Sequence, residues 1–350
     1  MPRAPFAALL LALPLVACTS RDVSIAPEPE TVAPRRADAR PEVAQLGGAE
    51  VSIPRPSSGV LPPGAADRVL AVGAPPLVVL LEAGAAPRGD LSYALNKGSS
   101  QPMAMAMNMA VGVKAKGQSM PSMPMPRMTM TFDTLTADKS GAGEFRIESR
   151  LTGTAVEPSG GQQEQMARAL RPQIDAMKGL AMNYWVDPKG HVHDVKLDMP
   201  PSVPPAAQQL MNGMSQSFES MVTPLPQEAV GVGARWQVVS RLATGGADIL
   251  QAAVYTLKSR SGARAMLDVT LLQLAASDTI HTPQMPAGMS AKVKSFSSTG
   301  KGATQLDLKS VAPESGTLAL TTAMEISVQG AGSDETSLVE TTTTVAISRP

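Results

Sequence analysis

Cysteine, methionine and histidine are the residue types in this chain whose spacing could do chemistry. Cys18 is the only cysteine among 350 residues, so it has no disulfide partner within the chain and fits a residue kept for covalent modification. Met120, Met123, Met125, Met128 and Met130 give Met-x-x-Met and Met-x-Met spacings. Thioethers are soft ligands that select Cu(I), which makes Met120, Met123, Met125 and Met128 a candidate metal set. The competing explanation is packing. Methionine is flexible and fills irregular apolar space, and this chain holds 21 methionines while aromatics make up only 3% of it. Packing, or a greasy ligand surface, is the preferred reading, and copper binding the alternative. His191 and His193 form a His-x-His pair, read on one strand face with Val195, Leu197 and Met199. Such a pair can share a zinc ion, and His281 is the remaining candidate histidine. With no HExxH motif and no second cysteine, ordinary solvent or backbone partners at a hairpin edge are preferred. Asp187, Asp194 and Asp198 gather around the same turn and read as a solvated edge.

Signs of catalysis are few. The sequence has no GxSxG, no Cys–His pairing and no Walker loop. The glycine pairs Gly160-Gly161 and Gly245-Gly246 lie in turns, outside the strand–loop–helix setting that cradles phosphate. The expectation is a protein that is not an enzyme and uses no cofactor.

The elements that must position these side chains read as mainly β. Leu77-Val78-Val79-Leu80-Leu81 is a short buried-strand pattern, and Leu91 to Leu95 reads as a second strand. Met103, Met105, Met107 and Met109 alternate with Ala104, Ala106, Asn108 and Ala110, which puts the methionines on one strand face. Met128, Met130 and Phe132 alternate likewise, as do Phe145 and Ile147, with a turn at Gly141-Ala142-Gly143 between the two strands. This is an antiparallel meander, apolar on one side. Two amphipathic helices follow. One carries Met166, Leu170, Ile174, Met177 and Ala181, with Pro172 expected to kink or split it. The other carries Ala207, Leu210, Met211, Met214, Phe218, Met221 and Val222. Between them, Met182 to Val186 and Val195 to Met199 flank the turn Asp187-Pro188-Lys189-Gly190. Further strands are expected at Trp236 to Leu242, Ile249 to Leu257, Arg264 to Leu274, Lys292 to Phe296, Gly302 to Ser310, Thr317 to Val328 and Leu338 to Ser348. The predicted fold is a curved antiparallel sheet, an open half-barrel or barrel-like, with two amphipathic helices packed on its apolar face.

The N-terminus is of another kind. Arg3 supplies a positive start, Ala4 to Val16 is apolar apart from Pro5 and Pro14, and Cys18 closes the run. The run is too short for a hydrocarbon layer of about 30 Å but suits the apolar core of a secretory signal. Its ending, Leu15-Val16-Ala17-Cys18, resembles the lipobox of bacterial lipoproteins. The resemblance implies removal of residues 1–17 and acylation of Cys18, whose acyl chains then partner the membrane. Thr19 stands where the inner-membrane retention signal of enteric lipoproteins has Asp, which by the same resemblance points to the outer membrane. Residues 18–66, rich in proline, alanine and charge, read as a disordered linker. A single β-rich domain is expected over 67–350, built of meanders at 67–200 and 230–350 joined by a helical segment.

Formal net charge is zero, so no global field draws nucleic acid. The methionine-rich strand, Val186-Asp187-Pro188-Lys189-Gly190-His191-Val192, Val230-Gly231-Val232-Gly233-Ala234-Arg235-Trp236 and Gly300-Lys301-Gly302-Ala303-Thr304 occur in that order. Their order resembles a family of secreted or lipid-anchored bacterial β proteins of unknown function, over roughly residues 90 to 348. The resemblance implies fold and location and carries no activity. The expected function is that of a non-catalytic, lipid-anchored cell-envelope protein with a methionine-rich groove for a hydrophobic ligand or lipoprotein partner. A structural or interaction lipoprotein without ligand is the first alternative, and a methionine-based Cu(I) binder the second.

Overall fold

The computed structural model describes residues 50–115, 118–201, 203, 222–244, 246–280, 290–329 and 335–350. Cys18 with the whole expected signal, the expected helix through Leu210, Met214 and Phe218, and His281 all lie outside the described residues. The strands are β1 (Leu77–Glu82), β2 (Ser100–Ala115), β3 (Gln118–Pro124), β4 (Arg127–Lys139), β5 (Phe145–Glu157), β6 (Ala181–Val186) and β7 (Val192–Asp198). The later ones are β8 (Arg235–Thr244), β9 (Ala247–Ser261), β10 (Arg264–Ala275), β11 (Thr279–Ile280), β12 (Ser290–Asp307), β13 (Ser315–Gln329) and β14 (Glu335–Ser348). Among the described residues two helices, α1 (Ala65–Val69) and α2 (Gln162–Asp175), accompany them.

All strands join one 14-stranded sheet, ordered β1-β8-β9-β10-β12-β13-β14-β2-β4-β5-β6-β7, with β3 on β2 and β11 on β12. The fold is therefore a curved antiparallel sheet, as its alternating sequence predicts. Sequential strands pair from β2 through β4 to β7 and from β8 to β14 as meanders within this one sheet. The C-terminal strand β14 pairs with β2 from Ser348↔Ala104 to Ser337↔Ala115, fusing the halves, while β1 pairs with β8. The two strands expected at Lys292 to Phe296 and Gly302 to Ser310 are one, β12. Gly300 and Gly302 lie inside it rather than in a turn. A β-carbon at Gly300 would come within 3.1 Å of Leu320 and 3.4 Å of Leu271, so the missing side chain lets neighbouring strands close over this point. Glycine inside a strand marks such a bend.

Curvature carries both ends of the sheet onto one core. Phe145, Ile147, Val186 and Val192 from one end pack with Trp236, Val238, Leu257 and Leu267 from the other. Trp236 is fully buried, stacks on Tyr255 with ring centroids 5.6 Å apart, and donates its indole N–H to the Pro224 carbonyl at 3.0 Å. Burial pushes the Tyr255 hydroxyl up to about 12. Between the two ends run Leu91, Tyr93 and Leu95, all buried. Residues 91–95 were expected to form a strand, but they make no ladder. Their N–H groups bond outward instead, Tyr93 to the Pro188 carbonyl at 2.7 Å and Ala94 to the Leu308 carbonyl at 2.7 Å. The Tyr93 hydroxyl donates to the Thr223 carbonyl at 3.2 Å.

The turn Asp187-Pro188-Lys189-Gly190 receives this strap. Asp187 Oδ1 accepts the Lys189 and His191 amides at 2.8 and 2.9 Å, and its Oδ2 lies 2.9 Å from His191 Nδ1. Lys189 reaches the Asp90 carboxylate at 2.5 Å and the Leu91 carbonyl at 3.1 Å. Gly190 has φ +85°, and a β-carbon there would sit 2.6 Å from the Thr223 carbonyl oxygen and 3.0 Å from the Tyr93 ring. Only glycine fits that backbone at that separation.

The other face of β8 to β10 is covered as well. Val239, Leu250 and Leu274 pack with Leu61, Ala65 and Ala66, and half-buried Val51, Ile53 and Val69 join them. This corrects the expected linker, because residues 50–66 are built into the domain. The Val51 amide bonds Gln237 Oε1 at 2.8 Å, and the Leu61 amide bonds the Ala275 carbonyl at 2.8 Å. Average composition hides a few apolar residues set among turn-forming prolines. Helix α2 buries Ala167 and Leu170 and runs through Pro172 to Asp175 unsplit. Asp175 accepts the Thr154 hydroxyl at 2.5 Å, which places the helix beside the apolar side of β5.

Replacing Trp236 by Ala should lower unfolding free energy by about 3–5 kcal/mol, as large-to-small core changes do. Trp236→Phe should still cost about 1–3 kcal/mol, because the buried Pro224 carbonyl loses its donor; urea titrations of both variants check this. The second expectation concerns acid. Burial pushes the Asp187 carboxyl up, but His191 and the amides of His191 and Lys189 outweigh it, so its pKa lies below the usual carboxylate range. A lowered folded pKa contributes stability that is fully present above the unfolded value of about 3.9 and is lost as pH falls through the folded value. Asp187→Asn should therefore lower the urea midpoint at pH 7 and flatten its decline below about pH 4.

Candidate functional site

One face of β4, β2, β14 and β13 carries an apolar stripe, and its register shows what it displays. Met105 lies opposite Met130, Met107 opposite Met128, and Met103 opposite Phe132. On the other flank of β2, Met105, Met107 and Met109 oppose Ile347, Val345 and Thr343 of β14. Those residues in turn face Gly316, Leu318 and Leu320 of β13. Directly paired residues share a face, with β-carbons about 4.5–5.5 Å apart. The methionines of β2 and β4 and the aliphatics of β13 and β14 thus form one neutral stripe on the side that also carries Phe132 and Leu151.

Contact with the core divides the stripe. Met103, Phe132, Leu151 and Met182 are packed into a core cluster, with Met105, Met130 and Ile347 lying against it. Met107, Met109, Met128, Leu318, Leu320 and Val345 are half-buried. On the opposite face of β13, Thr317, Ala319 and Thr321 are exposed. That face is polar along β14 too, with Glu340 and Thr342 exposed and Lys114 of β2 paired to Glu340 at 2.8 Å. A shallow outer pocket there is lined by Lys114, Gln118, Ser119, Glu325 and Thr336 together with Ala115 and Leu338. A bilayer-facing barrel shows the reverse, apolar outside and polar within. Among the described residues no helix is long and apolar enough to cross a membrane.

The four methionines singled out by spacing do not come together. Met123 and Met120 lie on β3 opposite Val111 and Val113, whereas Met128 lies on β4 opposite Met107. Strands β3 and β4 follow one another along the same edge of β2, so the six residues from Met107 to Val113 separate Met128 from Met120 by roughly 20 Å. Met120 is 40% exposed. Met125 stands in the break between the strands, and its amide bonds the Met109 carbonyl at 2.7 Å. Met128 instead joins the methionines of β2. Sequence spacing missed this grouping because cross-strand partners are remote in the chain.

The histidines also part company. Val192 opposes Val186 on the core side, which puts His193, opposite Trp185, on the outer side, while Leu197 opposes Met182 on the core side again. The switch occurs at a bulge where Asp194 has φ +53°, so the expected shared face of His193 and Leu197 is overturned. An inserted residue resets the side-chain alternation. His193 Nδ1 lies 3.1 Å from Asp194 and its Nε2 3.5 Å from Glu144, while His191 holds Asp187. Asp198 accepts a hydrogen bond from Asn183 at 2.9 Å. Among the described residues, no group of three or more His, Cys, Asp or Glu side chains is placed to hold a metal ion.

No protein-family model matches the chain, and no curated protein sequence matches it. Among solved structures, one described as the crystal structure of Pseudomonas aeruginosa OccK11 (OpdR) aligns over 73% of this chain and 99% of its own. Its identity is 8% and its TM-score 0.20. Another, described as "Asymmetric conductivity of engineered proteins", aligns over 70% of this chain and 99% of its own at 8% identity and TM-score 0.17. Likenesses at that level carry no argument about fold or function.

Proposed function

We propose that this protein is a non-catalytic, lipid-anchored component of a bacterial cell envelope, held at the outer membrane through acylated Cys18. On its apolar sheet face it holds a hydrophobic ligand with an acyl chain. The observation that carries the reading is the half-buried stripe of Met107, Met109, Met128, Leu318, Leu320 and Val345, neutral and continuous across β4, β2, β14 and β13. A flexible chain gains by displacing water from such a surface at about 25 cal/mol per Å² of apolar area. Methionine suits the task because its thioether side chain adapts to ligands of varied shape.

The test uses the full chain with Cys18→Ser, purified from the envelope without detergent and examined by native mass spectrometry. A co-purifying lipid mass is expected, lost in Leu320→Glu with unchanged far-UV circular dichroism. A bare mass that stays bare after incubation with phosphatidylethanolamine would overturn ligand binding. Labelling with palmitate checks the anchor separately: the parent chain should take up label and Cys18→Ser should not.

A further inference from the structure

We infer that the apolar sheet face also carries a Cu(I) site whose ligands are the thioethers of Met107, Met109 and Met128. Three observations converge on these residues. Met107 and Met128 are direct cross-strand partners, which sets their β-carbons about 4.5–5.5 Å apart. Met109 follows on the same face of β2, two residues and about 7 Å along. Each sulfur lies beyond a freely rotating methylene, so the three can turn toward a common point between the strands. The backbone at that point is held, because the Met125 amide bonds the Met109 carbonyl at 2.7 Å where β4 gives way to the prolines that precede it.

The surroundings choose the ion. Thr343 and Val345, which oppose Met109 and Met107 on β14, bring neither carboxylate nor imidazole. A neutral set of thioethers favours a soft monovalent ion over zinc or calcium. Contact with the core separates these ligands from the packing methionines. Met103 is 3% exposed within a core cluster and half-buried Met105 and Met130 pack against it, whereas Met107, Met109 and Met128 are half-buried outside that cluster and open to an ion delivered from solution. Core filling accounts for Met103, Met105 and Met130; for a half-buried strand position it would favour valine or isoleucine, which have the higher β-propensity. The copper site shares Met107, Met109 and Met128 with the stripe proposed to hold lipid, but its argument rests on the thioethers and does not require that a lipid binds there.

The experiment titrates the full chain carrying Cys18→Ser, which removes the one thiol, with Cu(I) held by bicinchoninate under anaerobic reducing conditions. The protein should withdraw one equivalent of copper, and X-ray absorption should show sulfur as the neighbouring scatterer. Met107→Leu/Met109→Leu/Met128→Leu, a nearly volume-conserving change, should weaken binding by at least about 100-fold because every soft ligand is lost. Met120→Leu/Met123→Leu, on β3, should leave affinity unchanged. Should the triple variant lose its circular dichroism, Met128→Leu alone is measured, with a loss of about tenfold expected. A parent chain that leaves copper with the chelator, a triple variant that binds like the parent, or a loss confined to the β3 variant would each overturn the assignment.

Discussion

The two ends of the sheet share a core, and most other features follow from that contact. Trp236 near one end and Phe145, Ile147 and Val186 near the other cannot be buried together while the sheet is flat. The strands between must therefore curve. Glycines on β12, bulges such as those at Val293/Ser295 and Val111/Val113, and the strap at 91–95 are the local means by which they do so. The strap is the most telling of these. It gives up its own ladder in order to bond the Asp187–Gly190 turn on one side and the end of β12 on the other, so every buried amide named there keeps a partner.

Curvature also sorts the residues of the apolar face. Near the ends, strands oppose strands and side chains vanish into the common core. Toward β13, β14 and β2 the same alternating pattern leaves aliphatics and methionines half-buried. A ligand or an ion would therefore find its place in the middle of the sheet. Electrostatics has little part there: the charged pairs, such as Lys114–Glu340 and Lys258–Asp268, lie on exposed positions and contribute little to stability.

Much of the site was hidden for reasons that particular residues make plain. Met120, Met123, Met125 and Met128 are close in sequence and read as a cluster, yet a strand break puts Met120 and Met128 roughly 20 Å apart. Met107 and Met128 are twenty-one positions apart and become neighbours through register alone. Counting in twos puts His193 on the face of Leu197, and the bulge at Asp194 places the two on opposite faces. Residues 50–66 read as disordered because their apolar anchors, Val51, Ile53 and Leu61, are few; the shelter that makes those few sufficient is the outer face of β8 to β10.

Period-two alternation determined the strands, because any stretch buried on one side of a sheet must alternate, and that rule is local. The turn at Asp187–Gly190 and the amphipathic α2 were determined in the same way, by side chains that act on their own backbone or on residues one turn away. Pairing order was not so determined. That β14 meets β2, that β1 crosses to β8, and that β12 runs unbroken through Gly300 and Gly302 depend on which apolar faces fit together once the sheet bends. Those contacts join residues far apart in the chain, and their free energy belongs to the assembled core around Trp236 rather than to any one segment.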